Sequence, residues 1–297
     1  MPERVLLTGA TGFVGRAVVA PLLARGVELH AVSRAPSSTA GVTWHRADLL
    51  DEADARALIR DVRPAILLHA AWYVEHGRFW TAPENEHWLD ASTALAHAFS
   101  DGGGRRFIGI GTCAEYAERD TDDDAPWPET RRIAPSTPYG MAKAVLHTRL
   151  GGLPNLSCAW ARLFHLFGEG EPSAKLVSYV ARSLLEGREA LCGSGRAVRD
   201  YASTAYVGRA LAALALSDAT GPVNVASGEG RPMRAVVEEI ARLTGNAHLL
   251  RLCARADPPG GVPSMVAGIE RLHRDAGFTE RANLHADLAA FVTGLHV

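Results

Sequence analysis

The chain has few cysteines, no excess of either charge and no long apolar run. Its four cysteines, Cys113, Cys158, Cys192 and Cys253, are far apart and form no Cys-x-x-Cys pair, so neither a disulfide framework nor a metal site is predicted. A formal net charge of -2 creates no field that would attract nucleic acid or an anionic membrane. No run is apolar for long enough to cross a bilayer. These absences predict a metal-free protein of a reducing compartment that binds neither nucleic acid nor membrane.

The length and composition allow a sizeable interior. With 297 residues, 47% of them hydrophobic, the chain can form one large domain or two. A strand pattern begins almost at the N-terminus, which leaves no room for a signal peptide, and we therefore expect a cytoplasmic protein. Neither repeats nor low-complexity segments are visible. The acidic run 120–124 is interpreted as a solvated turn.

The first half of the chain alternates between short β-branched runs and helical periods, which is typical of a parallel sheet wrapped by helices. The predicted strands are 4–8, 28–32, 43–46, 66–69, 106–111 and 156–162. The predicted helices are 14–25, 52–61, 84–99, 174–186, 233–243 and 284–292. We therefore predict an α/β fold, with a doubly wound parallel sheet in residues 1–165 and returns to it near 199–214 and 223–226. Residues 166–297 should form a smaller, mostly helical and discontinuous substrate cap.

A glycine-rich loop connects the first predicted strand to the first predicted helix. Its sequence is Thr8-Gly9-Ala10-Thr11-Gly12-Phe13-Val14-Gly15. Glycines at this spacing let the backbone turn tightly and approach a pyrophosphate, which then sits at the positive end of a helix. A purely structural turn is the alternative, but the strand before and the helix after the loop favour a dinucleotide site.

The end of the second predicted strand distinguishes between the two nicotinamide dinucleotides. An acidic residue there would accept the ribose hydroxyls of NAD, whereas this chain has Ser33 and Arg34. Because a guanidinium matches a phosphate in charge and shape, NADP(H) is favoured, with NAD(H) possible. The alternative is that Arg34 is a surface arginine of a loop with no role in cofactor binding. Asp48 and Leu49, after the third strand, are candidates for the adenine edge, unless Asp48 caps a helix.

Tyr139 and Lys143 are one helical turn apart and share a helix face. An ammonium near a phenol favours phenolate, so we expect Lys143 to lower the pKa of Tyr139 below its ordinary value of about 10. Such a pair can act as general acid and base. An ordinary amphipathic helix pair is the alternative. Thr137 and Pro138 fit a helix cap and a first helical residue.

Taken in order, these segments resemble the extended short-chain dehydrogenase/reductase family with its Rossmann sheet, within the NAD-dependent epimerase/dehydratase group. The matching segments are the glycine loop, Asp48-Leu49, His69-Ala70-Ala71, Asn85, Gly111-Thr112 with Tyr116, Tyr139-Gly-Met-Ala-Lys143, Arg162-Leu-Phe164 with Gly168, and Arg199-Asp200-Tyr201. A Tyr-x-x-x-Lys pair alone is common, but the whole set in this order is specific.

The resemblance implies roles for individual residues. Thr112 would hydrogen-bond the reacting oxygen, Tyr139 would exchange its proton, and Lys143 would hold the nicotinamide ribose, which makes these three the predicted catalytic residues. The predicted cofactor contacts are Gly9, Thr11, Gly12, Phe13, Val14, Gly15, Ser33, Arg34, Asp48, Leu49, Ala70, Ala71, Lys143 and His165. The predicted substrate contacts are Tyr73, Cys113, His165 and Arg199.

Departures from the family pattern reduce the number of reactions that the chain is expected to catalyse. Dehydratases carry an Asp-Glu pair after the catalytic Thr, but this chain has Cys113 and Ala114, and Glu115 is displaced by one residue so that its side chain should point elsewhere. Many epimerases have an acid where Arg34 stands, which disfavours that reaction. His165 replaces an asparagine common among relatives, and a satisfied structural histidine is the alternative.

Two further segments concern the substrate. Arg199 resembles the arginine with which the family contacts a nucleotide diphosphate, and a fork of this kind matches phosphate oxygens, although pairing with Asp200 is a close alternative. The usual acidic pair downstream is replaced by Ala205-Tyr206. The segment 72–80, followed by Trp88, is unusually aromatic. It could cover the apolar face of a sugar, or it could plug the space between the domains.

The sequence therefore predicts an NADPH-dependent reductase of a nucleotide-linked 4-keto-deoxysugar. The alternatives are an NAD-dependent nucleotide-sugar epimerase and, in another class, a non-catalytic dinucleotide sensor or scaffold. The resemblance also implies a homodimer formed through the helix that carries Tyr139.

Overall fold

The computed structural model describes residues 2–35, 37–119, 125–257 and 261–295. The described part of the chain contains a parallel sheet of seven strands in the order β10-β6-β5-β4-β1-β2-β3. Its strands are β1 (Arg4–Thr8), β2 (Glu28–Ser33), β3 (Val42–Arg46), β4 (Ile66–His69), β5 (Arg106–Thr112), β6 (Ser157–Leu163) and β10 (Gly221–Val225). Strand order reverses beside β1, so the loops after β1 and β4 open on a common crevice, where doubly wound sheets bind ligands.

Helices cover both faces of this sheet. They are α1 (Gly15–Leu23), α2 (Glu52–Val62), α3 (Glu84–Asp101), α4 (Pro138–Gly151) and α6 (Thr204–Ala215). One core cluster lies between the sheet, α1 and α6, and includes Val18, Leu22 and Leu211. A second cluster lies on the opposite face under α2, α3 and α4, and includes Leu58, Phe99 and Leu146. Both faces are therefore buried, which explains why the central strands are apolar throughout.

The C-terminal half adds short strands and helices. The strands are β7 (His165–Phe167), β8 (Ala190–Leu191), β9 (Val198–Ser203), β11 (Gly230–Pro232), β12 (Leu250–Arg251) and β13 (Ser264–Met265). The helices are α5 (Leu176–Leu185), α7 (Met233–Leu243), α8 (Glu270–Arg274) and α9 (Leu284–Gly294). β9 pairs with β7, β11 and β13, and β12 pairs with β8. A separate apolar cluster joins α5, α7 and α9.

The predicted α/β doubly wound sheet is confirmed, and the twelve predicted elements match observed ones to within about two residues at most ends. The segment 199–214 does not enter the large sheet as a strand, because β9 belongs to the small sheet and only α6 packs against α1. The domain boundary at residue 165 stays a prediction. The acidic run 120–124 lies outside the described residues.

Two glycines in β5 make room for a tryptophan in the neighbouring strand. A Cβ at Gly109 would lie 2.2 Å from the Trp160 ring, and a Cβ at Gly111 would lie 2.3 Å from its Nε1. Trp160 is fully buried. The large indole therefore fits between β5 and α4 because β5 has no side chains at these two positions.

Two features are absent from the part of the chain that the structure describes. No described helix combines the length and apolarity that crossing a membrane requires. No cluster of three or more potential ligands for a metal ion occurs among the same residues.

Candidate active site

The glycine loop forms a tight turn against the loop that follows β4. Gly9 has a φ of +67°, and a Cβ there would lie 2.6 Å from the backbone of Ala70 and Ala71. A Cβ on Gly15 would lie 2.1 Å from the Gly9 oxygen. Only glycine satisfies both the positive φ and this close approach.

The same loop is suited to a dinucleotide. Helix α1 begins at Gly15 with no side-chain cap on its first turn, so its N-terminal amide groups can receive an anion such as a pyrophosphate. Ala71 N donates a hydrogen bond to Thr8 Oγ1 at 3.2 Å, which holds the loop after β4 beside the glycine loop. The side-chain-free backbone at Gly9 and Gly15 and the uncapped start of α1 both fit the predicted cofactor.

The predicted cofactor residues come together at the carboxyl edge of the sheet. Ser33 ends β2, and Arg34 follows it, exposed and without a hydrogen bond or ion pair to any described residue. Asp48 does not cap a helix, because Asp51 caps α2 by accepting from Asp54 N at 3.0 Å. The Asp48 carboxylate instead accepts from Leu50 N within its own turn. The helix-cap alternative is therefore wrong.

Thr112 and Tyr139 meet at the end of β5. Thr112 Oγ1 accepts a hydrogen bond from Ala114 N at 3.2 Å, and the Thr112 hydroxyl lies near enough to Tyr139 to lower the pKa of the phenol. Thr137 caps α4 and Pro138 begins it, as predicted. A Cβ on Gly140 would lie 2.4 Å from the Ala114 oxygen. This close approach brings the start of α4 against the turn that carries Thr112.

The pKa of Tyr139 contradicts the prediction. Burial raises the pKa of the phenol, the neighbouring Glu115 and Cys113 raise it further, and the nearby Thr112 hydroxyl lowers it. Phe79 and Trp80 pack edge-on against the ring, with centroids 4.9 and 5.7 Å away. These rings exclude water, which disfavours phenolate. Tyr139 is therefore a protonated phenol at neutral pH.

Lys143 lies one turn further along α4 and is only 3% exposed. Its ammonium lies 3.6 Å from the centroid of the Trp72 ring. Burial lowers the pKa of Lys143 to about 7, while Glu115 acts in the opposite direction. The sequence placed Trp72 in the aromatic segment without predicting this cation–π contact.

Glu115 points away from the site, as its displaced position predicted. Its carboxylate is fully buried and forms an ion pair with Arg162 at 2.8 Å. It also accepts a hydrogen bond from Trp160 Nε1 at 2.9 Å. Glu115 is therefore held inside the protein rather than offered to a substrate.

Arg199 is available for a ligand. Its guanidinium donates to the carbonyl of Val198 at 2.8 Å and makes no ion pair with a described acid. The Asp200 carboxylate is instead satisfied by Ser227, Gly228 and Ala267. The alternative that Arg199 pairs with Asp200 is therefore wrong.

His165 lies beside Arg199 in the small sheet. Its ring centroid is 5.5 Å from that of Tyr201, and its Nε2 is buried without a hydrogen-bond partner among the described residues. Burial, Arg199 and Lys175 lower the pKa of His165 to about 3, so the imidazole is neutral. Lys175 was not predicted from the sequence, and its ammonium also lies 4.9 Å from the Phe13 ring of the glycine loop. Its signal was rarity, because the chain contains only two lysines.

The remaining predicted substrate residues differ in their surroundings. Burial raises the pKa of the Cys113 thiol to about 12, and Thr112 and Arg199 lower it by smaller amounts. The thiol is therefore protonated at neutral pH and unreactive. Tyr73 donates a hydrogen bond to Glu75 at 2.7 Å within its own loop. Trp88 packs against Trp72 on the apolar cluster under α2, α3 and α4, so it belongs to the core of the large sheet.

Comparisons with known proteins agree with this geometry. The NAD dependent epimerase/dehydratase family matches residues 5–226. A UDP-glucose 4-epimerase of Streptomyces lividans is 28% identical over 282 residues, which cover 83% of this chain and 82% of that protein. A dTDP-6-deoxy-L-talose 4-dehydrogenase (NAD(P)(+)) of Kitasatospora kifunensis is 28% identical over 266 residues, with coverage of 82% and 80%.

A solved structure has the same fold over its whole length. The Thermus thermophilus UDP-glucose 4-epimerase in complex with NAD superposes with a TM-score of 0.86, at 24% identity, over 99% of each chain. The family match covers most of the chain and includes the glycine loop, Thr112, Tyr139 and Lys143. The chain therefore belongs to the NAD dependent epimerase/dehydratase family of extended short-chain dehydrogenases/reductases and is an NAD(P)-dependent enzyme.

Proposed function

We propose that this enzyme uses NADPH to reduce the 4-keto group of a nucleotide-linked deoxysugar. The observation that carries the proposal is that Thr112 ends β5 where the start of α4, which bears Tyr139 and the buried Lys143, packs through Gly140 against the Ala114 oxygen. A carbonyl reduction needs a proton donor at the oxygen, and the raised pKa of Tyr139 keeps the phenol in the donating form.

The chain's own residues would handle the proton and the oxygen. Bound nicotinamide supplies the hydride, which is chemistry that no side chain can provide. Tyr139 gives its proton to the carbonyl oxygen. Thr112 Oγ1 accepts from Ala114 N, so its own hydrogen is free to donate to the same oxygen as negative charge develops. One such donor contributes about 3 kcal/mol to transition-state stabilisation.

The preference for NADPH is supported by Arg34. It is exposed at the end of β2, where an NAD-binding chain would present an acid to the ribose hydroxyls. A guanidinium there attracts a 2′-phosphate and offers nothing specific to a ribose hydroxyl pair. NADPH would then leave oxidised after each turnover, as a net reduction requires.

The nucleotide diphosphate would bind at the small sheet. Arg199 and Lys175 both lower the pKa of His165, so both cations lie near a neutral imidazole. The Arg199 fork can bind phosphate oxygens in pairs. His165 can donate or accept one hydrogen bond through its unpartnered Nε2.

A second candidate is epimerisation at C4 of a nucleotide sugar. It is favoured by the names of two relatives described above, both UDP-glucose 4-epimerases. An epimerase would use the same three catalytic residues but would retain its cofactor through both half-reactions.

The test is a panel of dTDP-, GDP-, CDP- and UDP-linked 4-keto-6-deoxysugars, each incubated with NADPH or NADH. Stoichiometric loss of reduced-cofactor absorbance is expected, faster with NADPH. Tyr139→Phe is the matched control, because it keeps the ring packing and removes the proton. Isomerisation of a UDP-sugar without net cofactor change would select the epimerase. No response from any nucleotide sugar would direct attention to small ketones.

We also infer a cytoplasmic homodimer built on α4. Met141 and Val145, one turn apart on that helix, are 56% and 36% exposed and form an apolar strip suited to a second copy of the same helix. Light scattering should give twice the chain mass, and Met141→Glu should reduce it to the monomer value. A monomeric wild type would refute the inference.

A further inference from the structure

Glu115 connects the catalytic threonine to the interior of the protein. Its Oε1 accepts a hydrogen bond from Thr112 N at 2.8 Å, and its Oε2 accepts from Arg162 Nε at 2.8 Å. Trp160 Nε1 donates to the same carboxylate. A fully buried carboxylate with these partners has no freedom to rotate. The amide of Thr112 is therefore fixed relative to β6.

The same turn also touches the helix that carries Tyr139. Ala134 N donates to the backbone oxygen of Glu115 at 3.1 Å, just before α4 begins. The Ala114 oxygen packs against Gly140, the neighbour of Tyr139, where a Cβ would come within 2.4 Å. Glu115 is therefore the point at which the end of β5, β6 and the start of α4 are joined.

Glu115 also places a negative charge near Thr112, Tyr139 and Lys143, which together are called the proton relay below. It raises the pKa of Lys143 and that of Tyr139. The other groups that face Lys143 carry no negative charge at neutral pH. Trp72 covers the ammonium, and His69, which Lys143 and burial keep at a pKa of about 3, is neutral. Tyr139 is a protonated phenol.

We propose that Glu115 is a positioning residue of the proton relay, whose hydrogen bonds to Thr112 N and Arg162 Nε hold Thr112 beside Tyr139. Its carboxylate is enclosed by protein and touches neither substrate nor cofactor. The inference rests on the proposed function for its turnover measurement alone.

Two variants separate the charge from the geometry. Glu115→Gln keeps the shape and removes the charge, whereas Glu115→Asp keeps the charge and draws the carboxylate back from Thr112 N. Arg106→Gln is the matched control, because Arg106 is buried at the opposite end of β5 and donates to the carbonyls of Leu214, Ala215 and Ala219. It should lose stability without touching the relay.

Lysine titration provides a measurement that needs no substrate. The chain contains only Lys143 and Lys175, so protein with isotope-labelled lysine side chains gives two side-chain signals, assigned with Lys175→Arg. Glu115→Gln should lower the pKa of Lys143 by on the order of one unit, and Glu115→Asp and Arg106→Gln should leave it near the wild-type value. A folded Glu115→Gln protein with an unchanged Lys143 titration would overturn the place of the Glu115 carboxylate beside the relay.

Turnover tests the positioning. Both Glu115 variants should lose about tenfold or more in kcat with KM within about threefold, because misplaced catalytic groups affect the transition state more than binding. The kcat profile of Glu115→Gln should also move to lower pH. If Glu115→Gln does not fold, Glu115→Asp decides, and wild-type turnover in that variant would refute the positioning. If wild type reduces no keto-sugar, the proposed function fails while the lysine titration still tests Glu115.

Discussion

Replacing Lys143 with methionine should make the protein more stable and less active. Methionine has almost the same length and keeps the apolar contact with Trp72, but it brings no charge into the interior. The pKa of Lys143 is lowered from 10.5 to about 7, chiefly by burial. A lowered lysine pKa means that the folded state holds the proton less tightly than the unfolded state does, so the buried ammonium costs stability.

The size of the effect follows from the difference between the two pKa values. That difference corresponds to a cost of about 5 kcal/mol for the charged form, and this cost is net of every contact that the ammonium makes, including the Trp72 ring 3.6 Å away. A gain of up to about 5 kcal/mol is therefore expected for Lys143→Met when the lysine is charged in both states.

The pH dependence has a definite sign. The cost is fully present below about pH 7 and disappears as pH rises towards 10.5, since the unfolded lysine then also loses its proton. Urea unfolding of wild type and Lys143→Met at about pH 6, 8 and 10 should therefore show a gain that shrinks with pH. Lys175→Met is the matched control. Because Lys175 pairs with Glu171 at 3.3 Å and donates to the Leu166 carbonyl at 2.9 Å, this change should destabilise.

Activity provides the second half of the experiment. Lys143→Met should lose about 100-fold or more in turnover, as expected when a group that orients cofactor and acid is removed. A variant less stable than wild type at about pH 6, or a gain that is the same at every pH, would refute the reasoning.

Three further changes test the site. Gly140→Ala should reduce kcat by about 100-fold with cofactor affinity unchanged, because its Cβ would lie 2.4 Å from the Ala114 oxygen. Steady-state kinetics measures the kcat and fluorescence titration measures the cofactor affinity, and a wild-type kcat would contradict the prediction. Gly9→Ala should abolish dinucleotide binding and lower Tm, because the φ of Gly9 is +67° and the Cβ would lie 2.6 Å from the Ala70 backbone. Normal dinucleotide binding in calorimetry would contradict the assignment of the glycine loop to the cofactor. Arg34→Asp should shift the ratio of kcat/KM from NADPH towards NADH by about tenfold or more; an unchanged ratio would exclude Arg34 from cofactor selection.

The large sheet was predictable because its signals are local. β1, β4 and α7 were predicted with their observed bounds, since apolar periodicity and flanking turns are written in adjacent residues. The strands β8, β12 and β13 contain only two residues each, too few for any periodic signal. They form because β9 and β8 offer unpaired backbone groups.

The electrostatics of the site could not be predicted in the same way. The sequence places Lys143 one turn from Tyr139 and therefore suggests a lowered phenol pKa. The pKa instead rises, chiefly through burial, and two of the rings that pack on Tyr139, Phe79 and Trp80, belong to a loop that is distant in sequence. Likewise, the partner of Asp200 was ambiguous until three donors from other loops were located around it. Proximity in sequence identifies the ionisable groups of the site, but tertiary packing determines their pKa values and their hydrogen-bond partners.

The indole of Trp160 makes two positions of β5 dependent on a third in β6. Gly109 and Gly111 cannot gain a side chain while that ring is present, so each of the three sites should show strong epistasis. Randomising β5 alone should return glycine at both positions, whereas a library that also shortens Trp160 should admit alanine or serine. Redesign of the floor beneath the active site must therefore begin with Trp160.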